Sequence, residues 1–263
     1  MDELLSALIL AVVQGLTEWL PISSSGHLVL FSNILNYESS LMFNVALHFG
    51  TLMAVFVYFG REIMDILEDF LRFKTKTANF RFGLLLIIAT IPAAFVGYLL
   101  KDFFEAVFSS LEVVALGFAI TSLILFIASL DISPIMSVKN KKAEQLGFLG
   151  AFFIGCAQAL AIFPGISRSG TTISSGLLSG LREKEAVKFS FMMAIPVIFG
   201  ASILEIGNNR LPPELVWATL LSFVVGLLTI HLMLNYVVTA RKNLRWFAIY
   251  CLLLALAVWK FLL

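Results

Sequence analysis

Six stretches of the chain, roughly 41–60, 82–100, 113–130, 186–204, 215–236 and 245–263, run for nearly twenty residues or more with no charge except Lys188, Arg245 and Lys260 at or close to an end. A helix needs about 17–25 predominantly apolar residues to cross a bilayer. This pattern restricts the fold to an all-α integral membrane protein. Composition agrees: the chain is 60% hydrophobic and 13% charged, against about 45–50% and about 25% in soluble domains. A net charge of +1 excludes the basic footprint of a nucleic-acid binder. Cys156 and Cys251 both lie in apolar runs and read as buried thiols rather than a disulfide. The acidic start, Asp2 and Glu3, lacks the basic region of a removable signal peptide.

Two further apolar regions, 4–37 and 146–180, are broken in the middle by Pro, Ser and Gly, and their halves read as re-entrant or discontinuous helices, although 146–163 alone is long enough to cross. The breaks hold Glu18 and Arg168, the two full charges placed inside membrane-length apolar sequence. A charge at bilayer depth costs about 2.5–3.5 kcal/mol or more, and such residues are rarely idle. Both stand among serines and glycines, which expose hydroxyls and backbone N–H groups to an anion.

The connections 61–81, 131–145, 181–188 and 237–245 collect 14 Lys and Arg, whereas the opposite side has only Lys101, Arg210 and Lys260. Positive charge marks the cytoplasmic side, so both termini are expected outside. Trp217 and Trp259 then fall near the outer interface and Trp246 near the inner one.

Shifting the chain by 144 residues aligns Gln14–His27 with Gln158–Thr171 without gaps, with six identities: Gln14/Gln158, Leu16/Leu160, Ile22/Ile166, Ser23/Ser167, Ser25/Ser169 and Gly26/Gly170. A second echo, at an offset of 140, relates Met53–Gly60 to Met193–Gly200. Two echoes in one order, with polar identities, argue against coincidence. The chain therefore reads as one membrane domain, 1–263, with a first repeat over about 1–130 and a second over about 146–263. By the charge count the first motif dips in from outside and the second from the cytoplasm. That is an inverted-topology repeat with broken helices meeting near the midplane. Helices following the motifs would aim their N-terminal N–H groups at one point, making an anion site to which Arg168 adds a fork suited to phosphate.

Several of these residues have plainer readings. Glu18 could be a buried partner that docks Arg168, but His27 and the hydroxyls close by are then unexplained. Ser23, Ser24 or Ser25 could cap a helix. His48 and His231 have no polar neighbours in sequence and read as core histidines. Pro92 and Pro196 need be no more than kinks.

Glu18-Trp-Leu-Pro-Ile-Ser-Ser-Ser-Gly-His27 and Pro164-Gly-Ile-Ser-Arg-Ser-Gly-Thr-Thr172 closely resemble the two signature motifs of the bacterial undecaprenyl-diphosphate phosphatase family, the bacitracin-resistance type. The resemblance covers the whole chain in length, repeat order and motif spacing. It implies removal of the terminal phosphate from a C55 polyprenyl diphosphate, which recycles the lipid carrier for cell-wall (peptidoglycan) synthesis. The expected place is the outer face of the bacterial cytoplasmic (inner) membrane. Carried over by position, it implies Glu18 and His27 as catalytic, Arg168 as phosphate clamp, and Ser24 as nucleophile or phosphate ligand. Ser23, Ser25, Gly26, Ser167, Ser169, Gly170 and Thr172 would line the diphosphate pocket. In the family's pattern Glu or Gln stands four residues before the motif's Glu; here it is Gln14, so a metal held between two carboxylates is in doubt. A divalent cation, Mg2+ or Ca2+, is still expected on Glu18 with Gln14, because a diphosphate brings more negative charge than Arg168 offsets. Other expected partners are the bilayer, bacitracin as a sequestrant of the substrate, and a second copy of the chain. The competing reading is a transporter or flippase for a phosphorylated lipid or anion. That function needs Arg168 and helix dipoles, but not an acid, a base and hydroxyls together.

Overall fold

The computed structural model describes residues 3–130, 140–205, 213–237 and 240–263. Lys139 and Arg210, both used in the charge count, lie outside them. The described residues are helical with one isolated bridge, Lys141 to Leu181. In chain order the α-helices are α1 (Glu3–Thr17), α2 (Ser24–Leu35), α3 (Leu41–Tyr58), α4 (Gly60–Leu71), α5 (Ala78–Leu99), α6 (Lys101–Val107) and α7 (Leu111–Ser129). They continue with α8 (Phe148–Leu160), α9 (Arg168–Leu178), α10 (Glu183–Glu205), α11 (Pro213–Leu232) and α12 (Leu244–Phe261).

Among the described residues, five segments are long and apolar enough to cross a membrane: Leu41–Tyr58, Ala78–Leu99, Leu111–Ser129, Leu215–Tyr236 and Arg241–Phe261. The chain is a multi-pass membrane protein. The sixth expected crossing forms as α10, 23 residues long with Pro196 inside it. The four helices around the motifs are short. The 15 residues of α1, at 1.5 Å each, extend about 22 Å, short of the roughly 30 Å hydrocarbon core. Of the stretch 146–163 only the 13 residues of α8 are helical, so it does not reach across as its length allowed. Both motif regions are helix–turn–helix hairpins.

The connection 61–81 is largely helical too. Ile66 and Phe70 of α4 press on Gly83 of α5, while Arg61, Asp65 and Glu68 are exposed. Lys74 ties the end of this helix to Asp69 at 2.9 Å.

Apolar side chains are distributed for a lipid solvent. A core of Trp19, Leu52, Leu85, Phe189, Phe191 and Met193 is closed. Ile87, Phe95, Leu123, Phe126, Leu228 and Leu253 are exposed around it, as are Trp217, Trp246 and Trp259. So much exposed apolar surface is stable only against acyl chains. Cys251 is buried as expected, but Cys156 is exposed, since its side of α8 is not covered by another helix; both are free.

Helix packings recur in pairs. α1 lies along α11 and α8 along α5, α1 packs on α2 and α8 on α9, and α3 packs on both α11 and α10, which in turn meets α5. α7 runs against α12 and also touches α2 and α9, which puts it beside both motifs.

Candidate active site

Each motif is a turn followed by a capped helix start. Ser23 accepts a hydrogen bond from the Gly26 N–H (3.3 Å) and so caps α2. Ser167 accepts from the Gly170 N–H (3.0 Å) and caps α9. The residue two positions on, a serine in both motifs, approaches each cap at the same distance, Ser25 to Ser23 at 3.2 Å and Ser169 to Ser167 at 3.2 Å. The residues aligned by the 144-residue shift thus do the same local job. Ser23 holds φ at +68°, a region costly for a non-glycine residue. What offsets this is the use of its carbonyl, which accepts from both the backbone N–H (3.2 Å) and Nδ1 (2.6 Å) of His27.

The two motifs are stitched together. Ser169 donates to the Leu20 carbonyl at 2.8 Å. Thr121 of α7 donates to the Gly165 carbonyl (2.9 Å) and accepts from the Ser167 N–H (2.9 Å). Gly165, at φ +87°, can lie there only because α7 offers Gly117: a Cβ on Gly117 would stand 2.3 Å from the Pro164 oxygen.

At the junction Glu18, whose side chain is 4% exposed, meets Arg168, 15% exposed, with Nη2 donating to Oε1 at 2.5 Å. Glu18 Oε2 accepts from Ser24 Oγ (2.6 Å) and from Gln14 Nε2 (2.9 Å). Arg168 Nη1 donates to the Ser190 carbonyl (3.2 Å), and its guanidinium lies 5.2 Å from the Trp19 ring centroid. A buried ion pair gains little over apolar packing unless its remaining polar atoms are satisfied. Here the second oxygen of Glu18 is satisfied by a hydroxyl and an amide that docking two helices would not require.

The profile of the family described as Bacitracin resistance protein BacA matches residues 7–257. The chain belongs to this family. It is 43% identical to an undecaprenyl-diphosphatase of Rubrobacter xylanophilus, over 98% of each chain. It is 39% identical to one of Korarchaeum cryptofilum, over 97% of this chain and 98% of the relative. It is 40% identical to one of Thermosipho melanesiensis, over 95% of this chain and 96% of the relative.

Of the residues expected at the site of this BacA-family chain, Glu18, Ser24, Arg168 and Gln14 come together directly. Ser23, Ser25, Ser167, Ser169 and Gly170 form the caps and stitches just described. Gly26 is a contact point, where a Cβ would stand 2.7 Å from Phe118 and 2.9 Å from Gly165. Thr172 donates back to the Arg168 carbonyl (2.7 Å) and pairs with Ser190 Oγ (2.7 Å), steadying the first turn of α9. His27 is engaged elsewhere: Nε2 lies 2.8 Å from the Tyr250 hydroxyl and its ring stands edge-on to Phe118.

The histidine beside Glu18 is His48, its Nε2 3.4 Å from Oε2, so the reading of His48 as a core residue is corrected. The missed signal was helical spacing. Asn44, His48 and Thr51 form an i, i+4, i+7 polar stripe on otherwise apolar α3, invisible to a search for adjacent polar residues. Trp19, whose ring lies against Arg168, and Ser190, whose carbonyl accepts from it, were not singled out as site residues in the sequence.

For a divalent cation, no group of three or more His, Cys, Asp or Glu side chains occurs among the described residues. Glu18 does have an oxygen-bearing neighbour to spare, because Gln14 Oε1 is buried without a partner. One carboxylate and one amide fit an ion only as the companion of a phosphate group that brings further oxygen ligands.

Proposed function

We propose that this chain is an undecaprenyl-diphosphatase, a membrane enzyme that hydrolyses the C55 polyprenyl diphosphate to monophosphate and inorganic phosphate. The observation that carries the reading is Glu18 held between Ser24 on one oxygen and Arg168, 150 residues away in sequence, on the other. Arg168 and the N–H groups opening α2 and α9 bind the anionic terminal phosphate and stabilise charge on its equatorial oxygens. Ser24 already donates to Glu18, as an activated nucleophile does to its base. Its Oγ attacks the terminal phosphorus, the bond to the bridging oxygen breaks, and the proton passes to Glu18. Water then cleaves the phosphoserine ester, giving inorganic phosphate and returning Ser24 its proton. His27, tied to Ser23 and Tyr250, holds the strained turn that presents Ser24.

A Mg2+ or Ca2+ ion arriving with the diphosphate would be held by Glu18 and Gln14 and would neutralise its excess negative charge. The tail has an apolar groove of about 510 Å³ between α1 and α11, lined by Leu4, Leu8, Trp217, Leu220, Leu221 and Val224. Lipid-carrier recycling and bacitracin resistance follow from the reaction, bacitracin acting by sequestering the same substrate. The distribution of Lys and Arg supports an inner-membrane protein with the site open towards the outer face. The paired packings and matched caps support an inverted-topology repeat. A homodimer is the assembly proposed. Release of inorganic phosphate by purified protein given polyprenyl diphosphate, lost in Glu18→Gln, tests the function. A wild-type sample that releases none would refute it, and a carrier reading would replace it.

A further inference from the structure

His27, in the first turn of α2, finds its ring partner outside both hairpins, on α12. The Tyr250 hydroxyl lies 2.8 Å from its Nε2, and the two rings are parallel to within 3°. On the far side of the imidazole, Nδ1 lies 2.6 Å from the Ser23 carbonyl. A carbonyl only accepts, so Nδ1 donates there. Nε2 faces the phenol whether the imidazole is neutral or charged, because a hydroxyl donates to the first and accepts from the second.

Tyr250 is not placed as an interfacial anchor, which would stand at a helix end with its hydroxyl towards the headgroups. It lies about 9 Å from the start of α12 and about 16 Å from its end, inside the apolar span. The residue is 43% exposed at the surface of the bundle, yet its hydroxyl turns inward to a histidine that is 2% exposed. Ser122 of α7 donates to the Ala248 carbonyl at 2.7 Å and so pins α12 two residues before Tyr250. Its neighbour on α7, Thr121, holds Gly165 and Ser167 of the second motif. Adjacent residues of α7 therefore fix the second motif directly and the first through α12, Tyr250 and His27. This connection sets the level at which Glu18 and Ser24 meet Arg168.

We infer that Tyr250 is a positioning residue for the hydrolysis, its hydroxyl anchoring the His27 ring that holds Ser23 at φ +68° and so keeps Ser24 Oγ 2.6 Å from Glu18; this rests on the phosphatase reading for the reaction that Ser24 serves. Without the hydroxyl the imidazole is held on one side only, and the Ser23 turn can relax towards backbone that a serine adopts without strain. Ser24 then spends less time on Glu18. Arg168 and the N–H groups opening α2 and α9 still bind the diphosphate. The loss therefore falls on kcat and leaves KM nearly unchanged.

The test compares wild type, Tyr250→Phe and Tyr250→4-aminophenylalanine as full chains in detergent given polyprenyl diphosphate. Tyr250→Phe keeps the ring and should lower kcat about tenfold, which is about 1.36 kcal/mol and the size of one net hydrogen bond, with KM within about twofold. The amine restores a donor at the same place and should recover kcat at least about fivefold over Tyr250→Phe, an outcome that loss of ring packing would not give. If Tyr250→Phe loses its melting transition, Tyr250→4-fluorophenylalanine, which also lacks the donor, serves the same comparison. A kcat within about twofold of wild type, a loss carried by KM, or no recovery with the amine overturns the assignment. The contact is scored without substrate as well: the ring-nitrogen magnetic resonances of His27, identified by their loss in His27→Gln, should shift in Tyr250→Phe. That shift in a wild type that releases no phosphate would keep the contact and remove the phosphatase reading. Phosphate release indifferent to Tyr250→Phe would keep the phosphatase reading and remove the role of Tyr250.

Discussion

Replacing Arg168 by lysine keeps the charge and removes the fork. In the structure one terminal nitrogen holds Glu18 at 2.5 Å while the other donates to the Ser190 carbonyl at 3.2 Å, with the Trp19 face beneath. A lysine ammonium is a point donor on a flexible stem. It can keep Glu18 paired, but it cannot also hold Ser190 and present two parallel N–H groups to a phosphate. Keeping Glu18 paired spares the variant the roughly 3–5 kcal/mol that an unpaired buried charge costs, a penalty Arg168→Ala would incur. The loss should therefore appear mainly in turnover. One hydrogen bond to a charged group contributes about 1.5–3 kcal/mol, and about 1.36 kcal/mol is a factor of ten in rate. Arg168→Lys should thus lower kcat/KM by about 10- to 150-fold, measured as phosphate released from polyprenyl diphosphate in detergent. Its melting temperature should move by no more than a few degrees. Turnover within about twofold of wild type would show that Arg168 does not clamp the phosphate.

Gly117→Ala places a methyl group 2.3 Å from the Pro164 oxygen and 2.7 Å from Gly165. This should cost about 1–3 kcal/mol of stability and reduce activity with no change in charge; an unchanged melting curve would show that α7 does not brace the second motif. Single cysteines at exposed positions 75 and 140, in a Cys156/Cys251-free background, should react with an impermeant maleimide only from the cytoplasmic side, and one at exposed Ser109 only from outside. Outside reactivity at 75 would reverse the orientation and remove the basis for the inverted repeat. A chelator should abolish phosphate release, and an added divalent cation should restore it. Full turnover in excess chelator would leave Glu18 as the base for Ser24 alone.

Membrane residence, helical class and the two broken hairpins were all legible in the sequence, because each rests on local rules. An uncharged run of nearly twenty residues has one stable fate in lipid, and a Pro-Ser-Gly break within it cannot be helix interior. Glu18 and Arg168 stood out for the same reason, as charges where charge is costly. The serine caps of α2 and α9 follow from the Ser-x-x-Gly spacing of each motif. The rest depended on which helices lie together. That His48 faces Glu18 follows from α3 packing beside α1, and that His27 faces Tyr250 instead follows from α12 packing on α7, next to α2. Thr121 and Gly117 became part of the site only because α7 passes both motifs. Short-range sequence specifies what each helix can bury and where it starts. Which polar side chain meets which across a helix interface is set by the packing of the whole bundle, and here that packing exchanged one histidine for another at the carboxylate.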